Sequence, residues 1–237
     1  MVWPAGQVCA HSLAQLPLAG KRVLELGAGT GLCALTAAAC GATVVAADYR
    51  KEPLRLLKRS MKRNSELLGR ELDITTLLLD IKSAEPLPTA DIVVAADLLY
   101  LPCTARALAH RCVESLQKGA ELVLIGDCGR PGREPFLKTL DLEMSMAREV
   151  ASALAENDGD VDKTVKQLER YEDERKGKKG AGGSAQFEFS PMDGWYAGVP
   201  RNDLISPSSD EARPVTVGLL KLQAADLSSQ DRTFSCI

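Results

Sequence analysis

Three glycines spaced two apart, Gly27, Gly29 and Gly31, follow an apolar run in VLELGAGTGLCAL, Val23 to Leu35, and Glu25 stands two residues before the first of them. Glycine-rich turns that lead from a strand into a helix cradle several cofactors, because the backbone N–H groups at the helix start attract negative groups. A nicotinamide-binding turn requires G-x-G-x-x-G, whose third glycine allows close helix–strand packing. Here that third position is Leu32, and the glycine comes one residue early, so the pattern is E-x-G-x-G-x-G. Glu25 would repel a pyrophosphate but suits a cationic ligand. S-adenosylmethionine carries a sulfonium and an ammonium, and its carboxylate can use the backbone N–H groups of the turn. Asp48 follows 21 residues after Gly27, where a carboxylate can accept bonds from both ribose hydroxyls. Together, turn, Glu25 and Asp48 favour a methyl-donor site over a dinucleotide site.

The elements that must position these residues are readable from periodicity. Pro4 to Leu16 has helical character, with Val8, Leu13 and Leu16 as candidate buried positions. Val23 to Leu26 is a short buried strand, Leu32 to Cys40 a small-residue helix ended by Gly41, and Thr43 to Ala47 a second strand closed by Asp48. Glu52 to Leu68 is predicted as a helix with Leu54, Leu57, Met61 and Leu68 along one face. Its other side carries Arg55, Arg59, Lys62 and Arg63, which reads as a solvated face, with docking to an acidic partner as the alternative. Strands are expected at Ile74 to Leu79, Asp91 to Ala96 and Glu121 to Ile125, with a helix at Cys103 to Gln117. Strands alternating with helices at this spacing imply a doubly wound, mostly parallel α/β sheet, with ligands beyond the carboxyl ends of the strands.

The alternation then breaks. Glu143 to Arg175 is long and mostly helical, interrupted at ENDGDVD, and is followed by the linker-like KGKKGAGG, Lys176 to Gly183. AQFEF (Ala185 to Phe189) and PVTVGLLKL (Pro214 to Leu222) read as two closing strands, for seven in all. The expected organisation is a core over 1–142, a helical insertion and linker over 143–183, closing strands over 184–222 and a tail over 223–237. ENDGDVD is not a calcium loop: with Gly159 at loop position six, positions one and twelve are Leu154 and Val165. Helix–turn–helix padding is preferred there over a ubiquitin-associated type of module.

Composition narrows the class. With 45% hydrophobic residues and a net charge of −3 in 237 residues, a folded core is expected and nucleic acid is not the default partner. No apolar run approaches the length of a membrane span. The first residues have neither a basic n-region nor Arg-rich amphipathic character, so a cytoplasmic protein is expected, or a mitochondrial one if a presequence is missing. Seven cysteines without a CxxC pair, and only two histidines, argue against a zinc site or a His-dependent nucleophile and fit a reducing compartment.

Three further segments carry a family resemblance. VWPAGQ (Val2 to Gln7) is similar to a W-P-x-G-Q element, ADLLY (Ala96 to Tyr100) to a D-x-x-Y motif, and VLIGDCGRPGREPF (Val123 to Phe136) to an I-G-D-P-G-R segment. With the glycine turn, they make the chain resemble the class I, seven-strand methyltransferases, and within them the family 16 protein-lysine methyltransferases. The I-G-D-P-G-R match points to the group of the electron-transfer-flavoprotein β-subunit lysine methyltransferase. The resemblance implies donor contacts from Trp3, Glu25, Gly27, Ala28, Gly29, Asp48 and Ala96, and catalytic roles for Asp97 and Tyr100. A tryptophan common after the third strand is missing, so Asp80 and Ile81 of LLLDI are expected to serve the adenine. The usual proline of the I-G-D-P-G-R segment is Cys128. From residue type alone, Asp97 reads as a strand-end cap and Tyr100 as a partly buried aromatic.

The implied reaction is an in-line displacement at the sulfonium carbon, in which alignment can supply roughly 7–11 kcal/mol of the barrier. A lysine acceptor has a free pKa of about 10.4 and must arrive neutral. Asp97 would orient the amine and accept or pass on its proton, and Tyr100 would shape an aromatic pocket. The expected substrate is a protein lysine, on a monomeric enzyme that needs no metal. A small molecule, or another protein side chain such as histidine, is the alternative acceptor. A catalytically inactive cofactor-binding module is the third reading.

Overall fold

The computed structural model describes residues 3–176 and 217–223. The first half of the chain alternates helix and strand: α1 (Pro4–Ala14), β1 (Arg22–Leu26), α2 (Leu32–Ala39), β2 (Thr43–Asp48), α3 (Lys51–Leu68) and β3 (Ile74–Leu78). Then come β4 (Ile92–Ala96), α4 (Pro102–Gln117), β5 (Leu122–Asp127), α5 (Arg133–Glu156), α6 (Val161–Lys176) and β6 (Gly218–Gln223). The sheet order is β3-β2-β1-β4-β5-β6, parallel except for β6, which runs antiparallel to β5. The order reverses direction between β1 and β4, the switch point at which open α/β sheets bind ligands.

Among the described residues the sheet has six strands, against the seven expected. The strand expected at Ala185 to Phe189 and residues 224–237 of the expected tail lie outside the described residues; of the strand expected at Pro214 to Leu222, the part described as strand is Gly218–Gln223, which takes in the first tail residue. Strand alternation divides the core in two. Val23, Val94 and Leu124 face a layer with α1, α2 and Leu57 of α3, whereas Leu24, Val93, Ala95 and Ile125 face α4 and α5. That period of two puts Glu25 on the α1/α2 face, beside Val23.

Three helices, α1, α3 and α5, differ from expectation. α1 stops at Ala14, leaving Leu16 only partly buried, while Val8 and Leu13 are in the core. On α3, Leu54 and Leu57 are buried and Met61 packs against the core, but Leu68 is half exposed. An 18-residue helix is about 27 Å long and a six-residue strand about 20 Å, so the last turn of α3 outruns the sheet. The basic residues of α3 are exposed, in keeping with a solvated face.

α5 runs unbroken from Arg133 to Glu156, so the boundary drawn at residue 143 falls inside a helix. Phe136, Leu140 and Met144 recur at helical spacing and are fully buried in the same cluster as α4. The chain turns at Asp158 and Gly159, both with positive φ, before α6.

Candidate functional site

The glycine turn is built from local constraints. Gly27, Gly29 and Gly31 have φ of 68°, 52° and 78°, a region that side chains rarely occupy. A Cβ on Gly27 would lie 2.5 Å from Leu98, and one on Gly31 2.2 Å from Leu57 of α3. Gly31 thus allows the close helix packing expected of a third glycine, one residue earlier than in a dinucleotide turn. At Gly29 nothing lies closer than 3.9 Å, so this side of the turn is open.

A cleft opens there at the carboxyl ends of β1 and β4. Trp3, Gly6, Glu25, Gly27, Ala28, Gly29, Thr30 and Ala96 line it, with Pro53 and Leu56 from the start of α3. Six of the expected donor residues therefore meet in one place: Trp3, Glu25, Gly27, Ala28, Gly29 and Ala96. Gly6, Thr30, Leu32, Cys33, Pro53 and Leu56 line it as well: Thr30 belongs to the glycine turn itself, Leu32 and Cys33 to the start of α2, Gly6 to α1, and Pro53 and Leu56 to α3, whose approach the motif does not encode.

Glu25 is 4% exposed and accepts the Ala34 N–H at 2.8 Å. Burial pushes its carboxyl up to about 7, against the lowering effect of that bond. The site thus holds an acid near its midpoint at neutral pH, which a cationic ligand would drive to the ionised form.

Asp48 is equally buried but spends its carboxylate on the backbone. It accepts the Gly29 N–H at 3.0 Å and the Arg50 N–H at 2.9 Å, tying the glycine turn to the end of β2. Each oxygen retains a lone-pair position for a further donor. Asp80 accepts the Lys82 N–H at 2.9 Å, and Ile81 is buried with the α4/α5 cluster while its carbonyl accepts Arg111 Nε. Asp48, Asp80 and Ile81 are not among the residues lining the cleft.

The segments after β4 and β5 build a second constellation. Asp97 is buried at φ +59°, and its N–H donates to the Gly126 carbonyl at 2.8 Å. Both its carboxylate oxygens are held by Arg130, with Nε at 2.9 Å from Oδ1 and Nη2 at 2.5 Å from Oδ2. The Arg130 guanidinium also stands 5.3 Å from the centre of the Trp3 ring. Fully buried Asp127 fixes this loop: it accepts the Gly129 and Arg130 N–H groups at 3.0 and 3.2 Å and Arg133 Nε at 2.6 Å. Gly132 lets the loop press against the chain after β4, donating to the Leu99 carbonyl at 2.8 Å, where a Cβ would come within 2.5 Å of that oxygen. Gly126 lets α1 cross β5 closely, since a Cβ there would lie 2.6 Å from Cys9 Sγ, and this seats Trp3 at the cleft.

Tyr100 is 42% exposed. Its phenol is raised above its ordinary value, first by partial burial and then by Tyr49, Asp48 and Asp80, so those groups share its neighbourhood. Arg130 and Asp127 lie within the I-G-D-P-G-R-like segment, where the signal for their role is two arginines and an aspartate in a glycine-rich turn. Among the described residues no group of His, Cys, Asp and Glu is placed to hold a metal ion, and no helix is long and apolar enough to cross a membrane.

A family model described as lysine methyltransferase matches residues 1–142. Among curated proteins, the histone-arginine methyltransferase METTL23 of Xenopus laevis is 37% identical over 111 residues, 43% of this chain and 44% of that protein. The protein N-lysine methyltransferase METTL21A of Danio rerio is 34% identical over 139 residues, 53% of this chain and 58% of that one. The chain spans about half the length of these curated relatives. A solved structure similar to it is magnesium protoporphyrin IX methyltransferase from Synechocystis PCC 6803 with bound SAM, at TM-score 0.46 and 19% identity, covering 59% of this chain and 66% of that one.

Proposed function

This chain belongs to the lysine methyltransferase family whose model it matches over residues 1–142, and from that premise we propose that it is an S-adenosylmethionine-dependent methyltransferase acting on a lysine of another protein. The observation that carries the donor assignment is Glu25: a buried carboxyl poised near neutrality in the wall of a cleft whose floor is an open glycine turn. Such a wall suits a ligand with a positive end and disfavours a pyrophosphate.

The residues present fit the donor. Gly29 leaves its side of the turn open, Glu25 supplies the anion for the ammonium, Asp48 retains acceptor positions for ribose hydroxyls, and Trp3, Pro53 and Leu56 supply apolar wall. When bound, the donor supplies a sulfonium-activated methyl group and leaves as a neutral thioether, so no strong acid is required of the protein. Asp80 and Ile81 are assigned to the adenine by motif position.

On the acceptor side, Asp97 orients the amine and takes its proton or passes it to water, and Tyr100 forms part of the wall that excludes water. Positioned proton-transfer groups contribute roughly 10²–10⁴-fold. Its cysteine usage supports a reducing compartment, read as the cytoplasm, and the enzyme is read as a monomer.

Incubation with tritiated donor and cell extract should label a protein band that yields methyllysine on hydrolysis. Asp97→Asn should cut that labelling by roughly 10²–10⁴-fold, and Tyr100→Phe by less, because the ring remains. Wild-type-like labelling by Asp97→Asn would remove Asp97 from the reaction, and label confined to acid-soluble products would move the substrate to a small molecule. Methylarginine in the band would favour the second reading, an arginine acceptor, which the guanidinium held by Asp97 supports.

A further inference from the structure

Asp97 cannot receive an acceptor in the arrangement described. Its side chain is 4% exposed, and Arg130, 32% exposed, lies against both of its oxygens. An approaching amine meets the guanidinium first. We propose that Arg130 is a gating residue for the acceptor: an internal cation that fills the amine's place on Asp97 and is displaced when the acceptor enters. The proposal rests on the reading of Asp97 as the acceptor's partner.

The surroundings decide which of the two partners moves. Asp97 is pinned, because its backbone sits at φ +59° and its N–H is bonded to Gly126. A residue in that region is held by its surroundings and does not readjust freely. The Arg130 backbone is also fixed, through the bonds from Gly129 and Arg130 N–H groups to Asp127. Only the Arg130 side chain is left to swing, and a surface that can receive it is already in contact. The Trp3 ring lies 5.3 Å from the guanidinium, within the range at which an aromatic face attracts a cation.

Trp3 also lines the donor cleft. Donor in the cleft would settle the Trp3 ring, and with it the alternative seat of Arg130. Entry of the acceptor is thereby coupled to a loaded donor site. Arg130 further sets specificity: an amine or guanidinium can replace it on the carboxylate, whereas a hydroxyl or thiol offers no charge to compete with a forked ion pair.

Gating makes a quantitative prediction, because a site open for only a fraction of the time binds its ligand more weakly by that fraction. The test uses the full chain loaded with S-adenosylhomocysteine and titrated with n-butylammonium, a lysine side-chain probe, at constant ionic strength. The probe should shift the Arg130 Nε–H resonance, and Arg130→Gln should bind it roughly 10-fold more tightly than wild type. Asp97→Asn should abolish probe binding in either background. Should Arg130→Gln not fold, Arg130→Lys loses the fork but keeps a charge, and should also bind the probe more tightly, by a smaller factor. Probe binding lost in Asp97→Asn but no tighter in the Arg130 variants overturns the gate and leaves Asp97 as the acceptor's partner. Probe binding indifferent to Asp97→Asn, or absent from every Arg130 variant that folds, overturns both.

Discussion

The two buried acids beside the glycine turn differ in what they spend their charge on. Asp48 accepts two backbone N–H groups, so it shapes the turn and, in the proposed function, binds ribose as well. Asp48→Ala removes charge-assisted bonds of about 1.5–3 kcal/mol, which should weaken S-adenosylhomocysteine binding roughly 10- to 150-fold in calorimetry. Unchanged affinity in a folded variant would take Asp48 out of the ribose role. Glu25 is held against its ionisation by burial, with its carboxyl at about 7 when folded and an ordinary value of 4.5. The sign follows from linkage: the folded state binds this proton more tightly, so the associated stability is present below 4.5 and is lost as pH rises through about 7. A cationic donor needs the ionised form, so its affinity should rise roughly 10-fold between pH 6 and pH 8 as the carboxyl ionises. Glu25→Gln should flatten that rise and be more stable than wild type at pH 8 by thermal melting. A wild-type affinity independent of pH would show that Glu25 does not meet the donor's charge.

At the scale of elements, α5 carries the main surprise. Its first residues follow the loop that holds Arg130, and its middle is part of the core rather than an appendage. Met144 is fully buried although it lies beyond residue 142, whereas Met146, half a turn on, is 51% exposed. Met144→Ala should cost about 2–5 kcal/mol in denaturant unfolding, and Met146→Ala should stay within about 0.5 kcal/mol. Equal and small effects would restore the view of an insertion that begins at 143. Because α5 packs on α4 and the two helices follow β4 and β5, the helix pair also steadies the end of the sheet at which Asp97 and Asp127 sit.

In the proposed function the donor sits at the switch point between β1 and β4, where strands from both halves of the sheet meet. A ligand that binds only the folded state at 100 times its Kd stabilises by about 2.7 kcal/mol. At about 2–4 °C per kcal/mol for a chain of this size, the melting midpoint should rise by roughly 5–10 °C with saturating S-adenosylhomocysteine. Nicotinamide dinucleotide should give no rise. A shift with the dinucleotide and none with S-adenosylhomocysteine would reverse the cofactor assignment.

The amino-acid sequence alone determined the features that are local in the chain. The strands around the glycine turn, the three positive-φ glycines, Glu25 and Asp48 were legible because backbone sterics and a period of two act over a few residues. The cofactor class was legible for the same reason, since the acid and the turn occupy one short segment. Tertiary structure alone decided what crosses the sheet. Arg130 reaches Asp97 across 33 positions and meets Trp3 from the other end of the chain, through close approaches at Gly126 and Gly132 that no periodicity announces. The same holds for Met144, whose burial depends on where α4 lies. Helical spacing marked a helix there but could not say which neighbour would cover it: an apolar face is satisfied by any complementary surface, and only the assembled sheet selects one.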